Sequence, residues 1–209
     1  MPLRWKVCGI TEEAGARAAV EAGADAIGFV FYPPSPRSVS ADRAASIAGS
    51  LPDETWRFAV FVDPDPTDVA AIVDLVGIDF VQLAGDEAPE IAARLPRHAF
   101  KALRLDAQSS GAQAQQLADR YSDCSLLIDA AVEGEYGGTG TLANWSAAAA
   151  LAQRHRIMLA GGLTPQTVAA AVEQVGPWAV DVSSGVESRP GLKDPQLIRA
   201  FARALEPFR

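Results

Sequence analysis

Two short segments near the end of the chain have the composition of an anion-binding site. One reads Val-Asp-Val-Ser-Ser-Gly-Val-Glu over Val180–Glu187, and the other reads Ala-Gly-Gly-Leu over Ala160–Leu163. Each is a short apolar run that ends in small residues, whose backbone N–H groups can closely approach the oxygens of a phosphate. Two successive strand exits of this kind, late in an α/β chain, are typical of the phosphate site after strands 7 and 8 of a (β/α)8 barrel. They predict a phosphorylated small molecule as ligand.

Cys8 is a candidate general base. It ends the apolar run Trp5–Cys8 and shares one face of that predicted strand with Lys6, because side chains alternate along a strand. A nearby ammonium group lowers a thiol pKa from its usual value of about 8.5, so we expect a partly ionised thiolate that can remove a proton. The alternative is a small buried hydrophobic residue, the commoner role of a lone cysteine in a strand.

Asp129 is the matching candidate acid. It ends the apolar run Leu126-Leu127-Ile128, so it emerges from a buried strand, where desolvation raises a carboxyl pKa and keeps the group protonated. The alternative is an N-cap or loop carboxylate for the glycine-rich segment 135–140, which lacks the Lys-Ser/Thr ending of a P-loop. Arg37 lies in a loop stiffened by three prolines, although such a loop can also carry an arginine incidentally.

Eight apolar or β-branched runs predict the strands that position these residues. They are Trp5–Cys8, Ala26–Val30, Phe58–Val62, Phe80–Leu83, Phe100–Leu103, Leu126–Asp129, Ile157–Ala160 and Ala179–Val182. Ala-rich segments with helical spacing lie between most of them, namely Glu12–Ala22, Ala41–Ala48, Pro66–Leu75, Asn144–Gln153, Pro165–Val175 and Asp194–Leu205. A further helix within 106–121 has the weakest pattern. Thr164-Pro165 and Asp194-Pro195 each indicate a helix start, with a capping side chain before a proline.

This alternation predicts parallel strands with right-handed crossovers, and hence a single-domain (β/α)8 barrel of the α/β class over residues 1–209. A doubly wound open sheet is the alternative. It is less favoured because the first turn, Cys8-Gly9-Ile10-Thr11, lacks the glycine-rich pattern of a dinucleotide-binding sheet. In a barrel, chemistry belongs at the carboxyl ends of the strands, which is where Cys8, Asp129 and Asp181 fall.

The overall composition limits the function classes. The chain has 18 Lys and Arg against 26 Asp and Glu, a net charge of −8, which argues against a general attraction to nucleic acid or an anionic membrane. No leader pattern and no apolar run of the roughly 20 residues of a membrane span is present, so we expect a soluble cytoplasmic protein. Two cysteines and two isolated histidines predict no disulfide framework and no metal site.

Several motifs occur in one order along the whole chain. They are Lys6-Val7-Cys8-Gly9-Ile10-Thr11, Gly23–Tyr32 with Ser35-Pro36-Arg37, Phe61-Val62-Asp63, Val81-Gln82-Leu83, Asp129 with the segment 136–140, Leu159–Leu163, and Val180–Glu187 with Pro190-Gly191 and Lys193-Asp194. Together they resemble the phosphoribosylanthranilate isomerase family of tryptophan biosynthesis, whose members are TIM barrels.

The resemblance implies an Amadori rearrangement of N-(5-phosphoribosyl)anthranilate without cofactor or metal. It implies Asp129 as general acid, Cys8 as general base and Arg37 as the group that holds the anthranilate carboxylate. The phosphate would be held by Gly161, Gly162, Ser183, Ser184 and Gly185, and Asp181 would face the substrate. The expected partner is this phosphoribosyl molecule, with no nucleic acid and no membrane, and the protein is expected to be a monomer or homodimer.

One position departs from the family pattern, which usually reads Val-Gln-Leu-His-Gly after strand 4, whereas this chain has Ala84 in place of the histidine. We expect altered binding or rate rather than loss of activity. Two rivals remain open. One is the histidine-pathway isomerase that performs the same rearrangement, but such enzymes resemble a barrel with Asp where this chain has Cys8. The other is a phospho-ligand binding protein without catalysis, for which Ala84 is the only hint.

Overall fold

The structure is a computed structural model that describes residues 2–105, 109–130 and 144–209. Its eight parallel strands are β1 Arg4–Cys8, β2 Ala26–Val30, β3 Trp56–Phe61, β4 Phe80–Leu83, β5 Ala99–Leu105, β6 Ser125–Ala130, β7 Ile157–Leu159 and β8 Ala179–Val182. Each strand pairs with the next, and β8 pairs with β1 to close the barrel. The predicted (β/α)8 fold is confirmed.

Helices follow the strands within the described ranges. They are α1 Glu13–Glu21, α2 Ala41–Ala48, α3 Pro66–Val76, α4 Pro89–Ala92, α5 Gly111–Asp119, α6 Trp145–Ala152, α7 Val168–Val175 and α8 Pro195–Leu205. Short 3₁₀ turns occupy Ser184–Val186 and Glu206–Phe208, and an antiparallel hairpin is formed by β9 Glu187–Arg189 and β10 Leu192–Lys193. Over the described part of the chain, no helix has the length and apolar character that crossing a membrane requires.

The predicted start of α7 at Pro165 is wrong, whereas the predicted capping by Thr164 and the start of α8 are confirmed. The helix α7 begins at Val168, but the Thr164 hydroxyl accepts the N–H of Gln166 at 3.2 Å, as a capping side chain does. The Thr167 hydroxyl accepts the N–H of Thr164 at 3.0 Å, and residues 165–167 form a turn before the helix. The cap of α8 is as expected, since the Asp194 carboxylate accepts the N–H of Gln196 at 2.7 Å.

The barrel interior is packed rather than hollow. Its apolar filling includes Ala26, Phe58, Phe100, Ala102, Leu127, Met158, Ala160 and Ala179. Phe58 lies edge-on to Phe100 with ring centroids 5.0 Å apart, and the Lys6 ammonium lies 5.2 Å from the Phe58 ring centroid. Because this apolar filling takes up the interior, polar side chains near the carboxyl ends of the strands face one shared opening.

Candidate active site

A cavity at the carboxyl ends of the strands gathers most of the predicted site residues. Its lining includes Cys8, Arg37, Asp129, Gly161, Gly162, Asp181, Ser183 and Ser184, together with Gln82 of β4 and Ala84 directly after that strand. Gly185 does not line the cavity and lies in the adjacent turn Ser184–Val186. Residues from the first, second, fourth, sixth, seventh and eighth strands or their loops therefore meet in one place, as a barrel requires of a site built from strand ends.

Cys8 and Lys6 lie side by side over a glycine. Gly28 of β2 pairs with Cys8, and a Cβ added to Gly28 would come 2.9 Å from Cys8 Sγ and 3.0 Å from Lys6 Cε. The two side chains therefore share one face of β1, as predicted, and only glycine on the neighbouring strand leaves them room.

The net effect of this environment on the thiol differs from the prediction. Burial raises the pKa of Cys8 above its ordinary value, although the Lys6 ammonium acts in the opposite direction. The expected lowering of the thiol pKa is wrong because the hydration lost by a thiolate in this buried place outweighs its attraction to the ammonium.

Lys6 is completely buried and joins three strands. Its Nζ lies 2.7 Å from Asp181 Oδ2 on β8 and donates to Gln82 Oε1 on β4 at 3.0 Å. Burial alone lowers the pKa of Lys6, but the charges of Asp181 and Cys8 outweigh burial and the pKa is raised. The ammonium therefore stays protonated beside the thiol.

Asp181 carries an acceptor that the described residues leave unsatisfied. Its Oδ2 is paired with Lys6, whereas Oδ1 is buried without a hydrogen-bond partner among residues 2–105, 109–130 and 144–209. Because a buried acceptor without a donor costs free energy, a hydroxyl or N–H group of a ligand in the cavity could stabilise this position.

Asp129 reaches the cavity from the opposite part of the barrel. It is half-buried near the end of β6, and its register partner on β5 is Arg104. The glycine-rich segment 135–140, for which Asp129 could have served as a cap, lies outside the described residues, as does the segment 106–108 of the helix predicted within 106–121.

Three glycines at the exits of β7 and β8 are required by the backbone. Gly161 and Gly162 have φ angles of 85° and 66°, in the left-handed region that favours glycine. A Cβ on Gly185 would come only 1.9 Å from the carbonyl oxygen of Leu163, so the two exits press against each other here. Ser183 connects the β8 exit to the carboxyl end of β1, because its hydroxyl donates to the Cys8 carbonyl at 3.1 Å.

Arg37 is held by a carboxylate that the sequence did not single out. Its Nε and Nη2 donate to Glu187 Oε1 and Oε2 at 2.9 and 2.8 Å, and Lys193 Nζ donates to Glu187 Oε1 at 2.7 Å. Burial raises the pKa of Glu187, but the Arg37 hydrogen bonds and the Lys193 charge outweigh burial, so the pKa lies below its ordinary value. Glu187 and Lys193 occur in the motifs above, but nothing local in the sequence indicates that they meet Arg37.

The departure at Ala84 falls within the site itself. Its methyl group lines the cavity and offers no hydrogen bond, while its backbone N–H donates to the Phe61 carbonyl at 2.8 Å. Among the described residues, no group of three or more His, Cys, Asp or Glu side chains is arranged to hold a metal ion.

Comparisons with known proteins show which family this chain resembles in sequence and fold. A family model described as N-(5'-phosphoribosyl)anthranilate (PRA) isomerase matches residues 5–204. The isomerase of that name from Pelobacter propionicus is 44% identical over 207 residues, which cover 99% of this chain and 97% of the relative.

Solved structures show the same likeness. The phosphoribosyl anthranilate isomerase of Thermotoga maritima aligns with a TM-score of 0.90 and 37% identity over 98% of this chain and 99% of its own. Another phosphoribosyl anthranilate isomerase structure, in complex with reduced 1-(o-carboxyphenylamino)-1-deoxyribulose 5-phosphate, aligns with a TM-score of 0.86 and 35% identity, covering 98% and 99% of the two chains.

Proposed function

Because this chain belongs to the N-(5'-phosphoribosyl)anthranilate isomerase family, we propose that it converts N-(5-phosphoribosyl)anthranilate to 1-(2-carboxyphenylamino)-1-deoxyribulose 5-phosphate in tryptophan biosynthesis. The observation that carries this proposal is the single cavity lined by a thiol, a carboxyl group, a guanidinium and two small-residue strand exits. Each of these groups suits one part of the substrate.

Asp129 acts as the general acid in the first step. Its carboxyl group protonates the ring oxygen of the ribose, the bond from C1′ to that oxygen breaks, and the nitrogen lone pair forms the C1′–N double bond of a Schiff base. The position of Asp129 near the end of β6, in the wall of the cavity, supports this role because it places the carboxyl group where the opened sugar would lie.

Cys8 acts as the general base in the second step. The thiolate removes the proton at C2′, the C–H electron pair forms the C1′–C2′ double bond as the π electrons of the C1′–N double bond return to nitrogen, and the resulting enol-amine tautomerises to the ketone. The protonated Lys6 beside Cys8 favours the thiolate that this step needs, and Asp181 Oδ1 offers an acceptor to a sugar hydroxyl.

Two groups distant from the reacting carbons hold the substrate. The planar Arg37 guanidinium suits the anthranilate carboxylate because it can bond both oxygens. The backbone at Gly161, Gly162, Ser183 and Ser184, with Gly185 behind it, suits the phosphate. Binding energy from both ends holds the opened sugar between Cys8 and Asp129.

The proposal is tested by turnover of the purified protein with two substrates. We expect the protein to convert N-(5-phosphoribosyl)anthranilate, with turnover measured as the decrease in the substrate's fluorescence. We expect little or no conversion of the histidine-pathway phosphoribosyl substrate. Preference for the second substrate would assign the rival isomerase. Tight binding of the reduced product analogue without turnover would indicate a binding protein that has lost catalysis.

The roles of the acid and the base are tested separately. Replacing Cys8 by Ala or Asp129 by Asn should each lower kcat at least ~10²-fold, as expected for lost general base or acid catalysis. Thermal unfolding should confirm that both variants are folded. Normal turnover by the Cys8→Ala protein would assign the base to another group.

A further inference from the structure

We propose that Glu187 is a positioning residue for substrate specificity, which orients the Arg37 guanidinium toward the aromatic carboxylate of the substrate. This inference rests on the proposed function and assigns a role to a carboxylate that the mechanism above does not use. Glu187 itself touches no reacting atom and acts only through Arg37.

The contact between the two residues fixes a direction as well as a distance. Glu187 accepts one hydrogen bond from Nε and one from Nη2, so both carboxylate oxygens face one edge of the guanidinium. Because the guanidinium is planar, holding that edge also fixes the plane and the direction of the rest of the group. An arginine side chain has several rotatable bonds, and a two-point contact of this kind removes most of their freedom before a ligand arrives.

The contact is also shielded from water. The Glu187 side chain is only 4% exposed, that of Arg37 is 12% exposed and that of Lys193 is 2% exposed. Ion pairs of this kind are screened much less than surface pairs, and removing one partner leaves a costly unpaired charge. Lys193 gives the same carboxylate a second cationic partner, so Arg37, Glu187 and Lys193 form one buried cluster.

The backbone around Glu187 is anchored to the loop that carries Arg37. Glu187 begins β9, and the turn between β9 and β10 contains Gly191 with a φ of 81°. A Cβ on Gly191 would come 2.7 Å from the Pro36 carbonyl oxygen, and the Thr11 hydroxyl donates to the Gly191 carbonyl at 2.5 Å. The hairpin thus packs against the loops after β1 and β2, so that the carboxylate and the proline-stiffened loop hold fixed relative positions.

The same cluster continues to the segment proposed to hold the phosphate. Lys193 Nζ donates to the Ser183 carbonyl at 3.1 Å and to the Ser183 hydroxyl at 3.3 Å, in addition to Glu187. Glu187 and Lys193 therefore connect the two ends at which the substrate is held. Two cationic groups around one carboxylate also favour an anionic ligand over a neutral one.

The test compares two substrates that differ only in the carboxylate. Anthranilate and aniline each condense with ribose 5-phosphate, and the two N-aryl ribosylamine phosphates are assayed with the wild type, Glu187→Gln, Arg37→Ala and the double variant. A glutamine keeps the shape of Glu187 but replaces one acceptor oxygen with an N–H donor. We expect Glu187→Gln to lower kcat/KM for the anthranilate substrate at least ~10-fold, mainly through KM, and to change that for the aniline substrate by less than ~2-fold.

The double variant shows whether Glu187 acts through Arg37. If it does, Glu187→Gln costs little further activity once Arg37 is Ala, so the two losses are strongly non-additive. The proposal is overturned if both substrates lose equally, if the two losses add, or if Glu187→Gln lowers KM, which would make Glu187 a competitor of the substrate carboxylate. Failure of the wild type to convert the anthranilate substrate counts against the proposed function instead.

The control variant is Glu13→Gln, which changes the same residue type in an exposed ion pair with Arg17 on α1. It should retain wild-type kinetics with both substrates, because exposed pairs of this kind contribute little. If Glu187→Gln is not folded at the assay temperature, Glu187→Asp is used instead, because it keeps the charge on a shorter side chain. The same comparison between the anthranilate and aniline substrates is then made with that variant. Its loss should again be confined to the anthranilate substrate.

Discussion

Cys8 lies where two physical effects on one thiol oppose each other. Burial raises its pKa and the Lys6 ammonium acts against that rise, so the thiol ionises above the pH at which an exposed cysteine does. The thiolate fraction, and with it kcat/KM, should therefore rise with pH from about 6 to about 10 if the thiolate is the base. The rate at which iodoacetamide alkylates Cys8, measured in a Cys124→Ser background, should rise with pH over the same range. A kcat/KM that is flat over this range would rule out the thiolate as base.

Replacing Lys6 by Met tests how much the Lys6 ammonium favours ionisation of the Cys8 thiol. The pKa of Cys8 should rise further, because the substitution removes the Lys6 ammonium, whose charge opposes the effect of burial. We expect the rise in alkylation rate to move to higher pH and kcat/KM at neutral pH to fall roughly tenfold or more. Asp181 then loses its buried partner, so thermal unfolding must show that the variant is folded. An unshifted rise in alkylation rate in a folded variant would contradict this role.

The exits of β7 and β8 work as one element because their backbones touch. Gly185→Ala should destabilise the protein by roughly 1–3 kcal/mol and weaken competitive inhibition by inorganic phosphate at least ~10-fold, since the added methyl group overlaps the Leu163 carbonyl. Gly49→Ala is the matched control, because its Cβ would lie 3.4 Å from the Ala45 carbonyl and should change stability by less than ~0.5 kcal/mol. Unchanged phosphate inhibition in Gly185→Ala would remove this turn from the phosphate site.

Elements with their own periodicity were predictable from the sequence, and elements that depend on tertiary contacts were not. The strands were found because buried barrel strands are short apolar runs, and the cavity residues followed from the rule that such strands end together. The hairpin of β9 and β10 was missed because Glu187-Ser188-Arg189 carries no apolar alternation and is held by contacts to other loops. The pair of Arg37 and Glu187 was missed for the same reason, since the two residues lie 150 positions apart in the chain.

At the scale of the whole molecule, the barrel depends on the pairing of its first and last strands. β1 and β8 pair over Arg4 to Val7, and the buried ion pair of Lys6 and Asp181 crosses this closing seam. That residues 1–209 form a single domain stays a prediction, and it implies one cooperative unfolding transition. Far-ultraviolet circular dichroism and tryptophan fluorescence should report the same midpoint in urea, whereas two separated transitions would divide the chain into independent units.

The stability of the folded chain should depend on Glu187 in acid. Its pKa is lower in the folded state than in the unfolded chain, where a glutamate titrates near pH 4.3. The charged carboxylate therefore stabilises the fold above that pH, and this contribution is lost as the pH falls through the folded pKa. We expect urea unfolding to show the largest free-energy difference between the wild type and Glu187→Gln at neutral pH, and a smaller difference by about pH 3. Glu13→Gln should follow the wild type throughout. Parallel curves for the wild type and Glu187→Gln would mean that the buried cluster does not hold this carboxylate in its charged form, and the positioning of Arg37 would need another source.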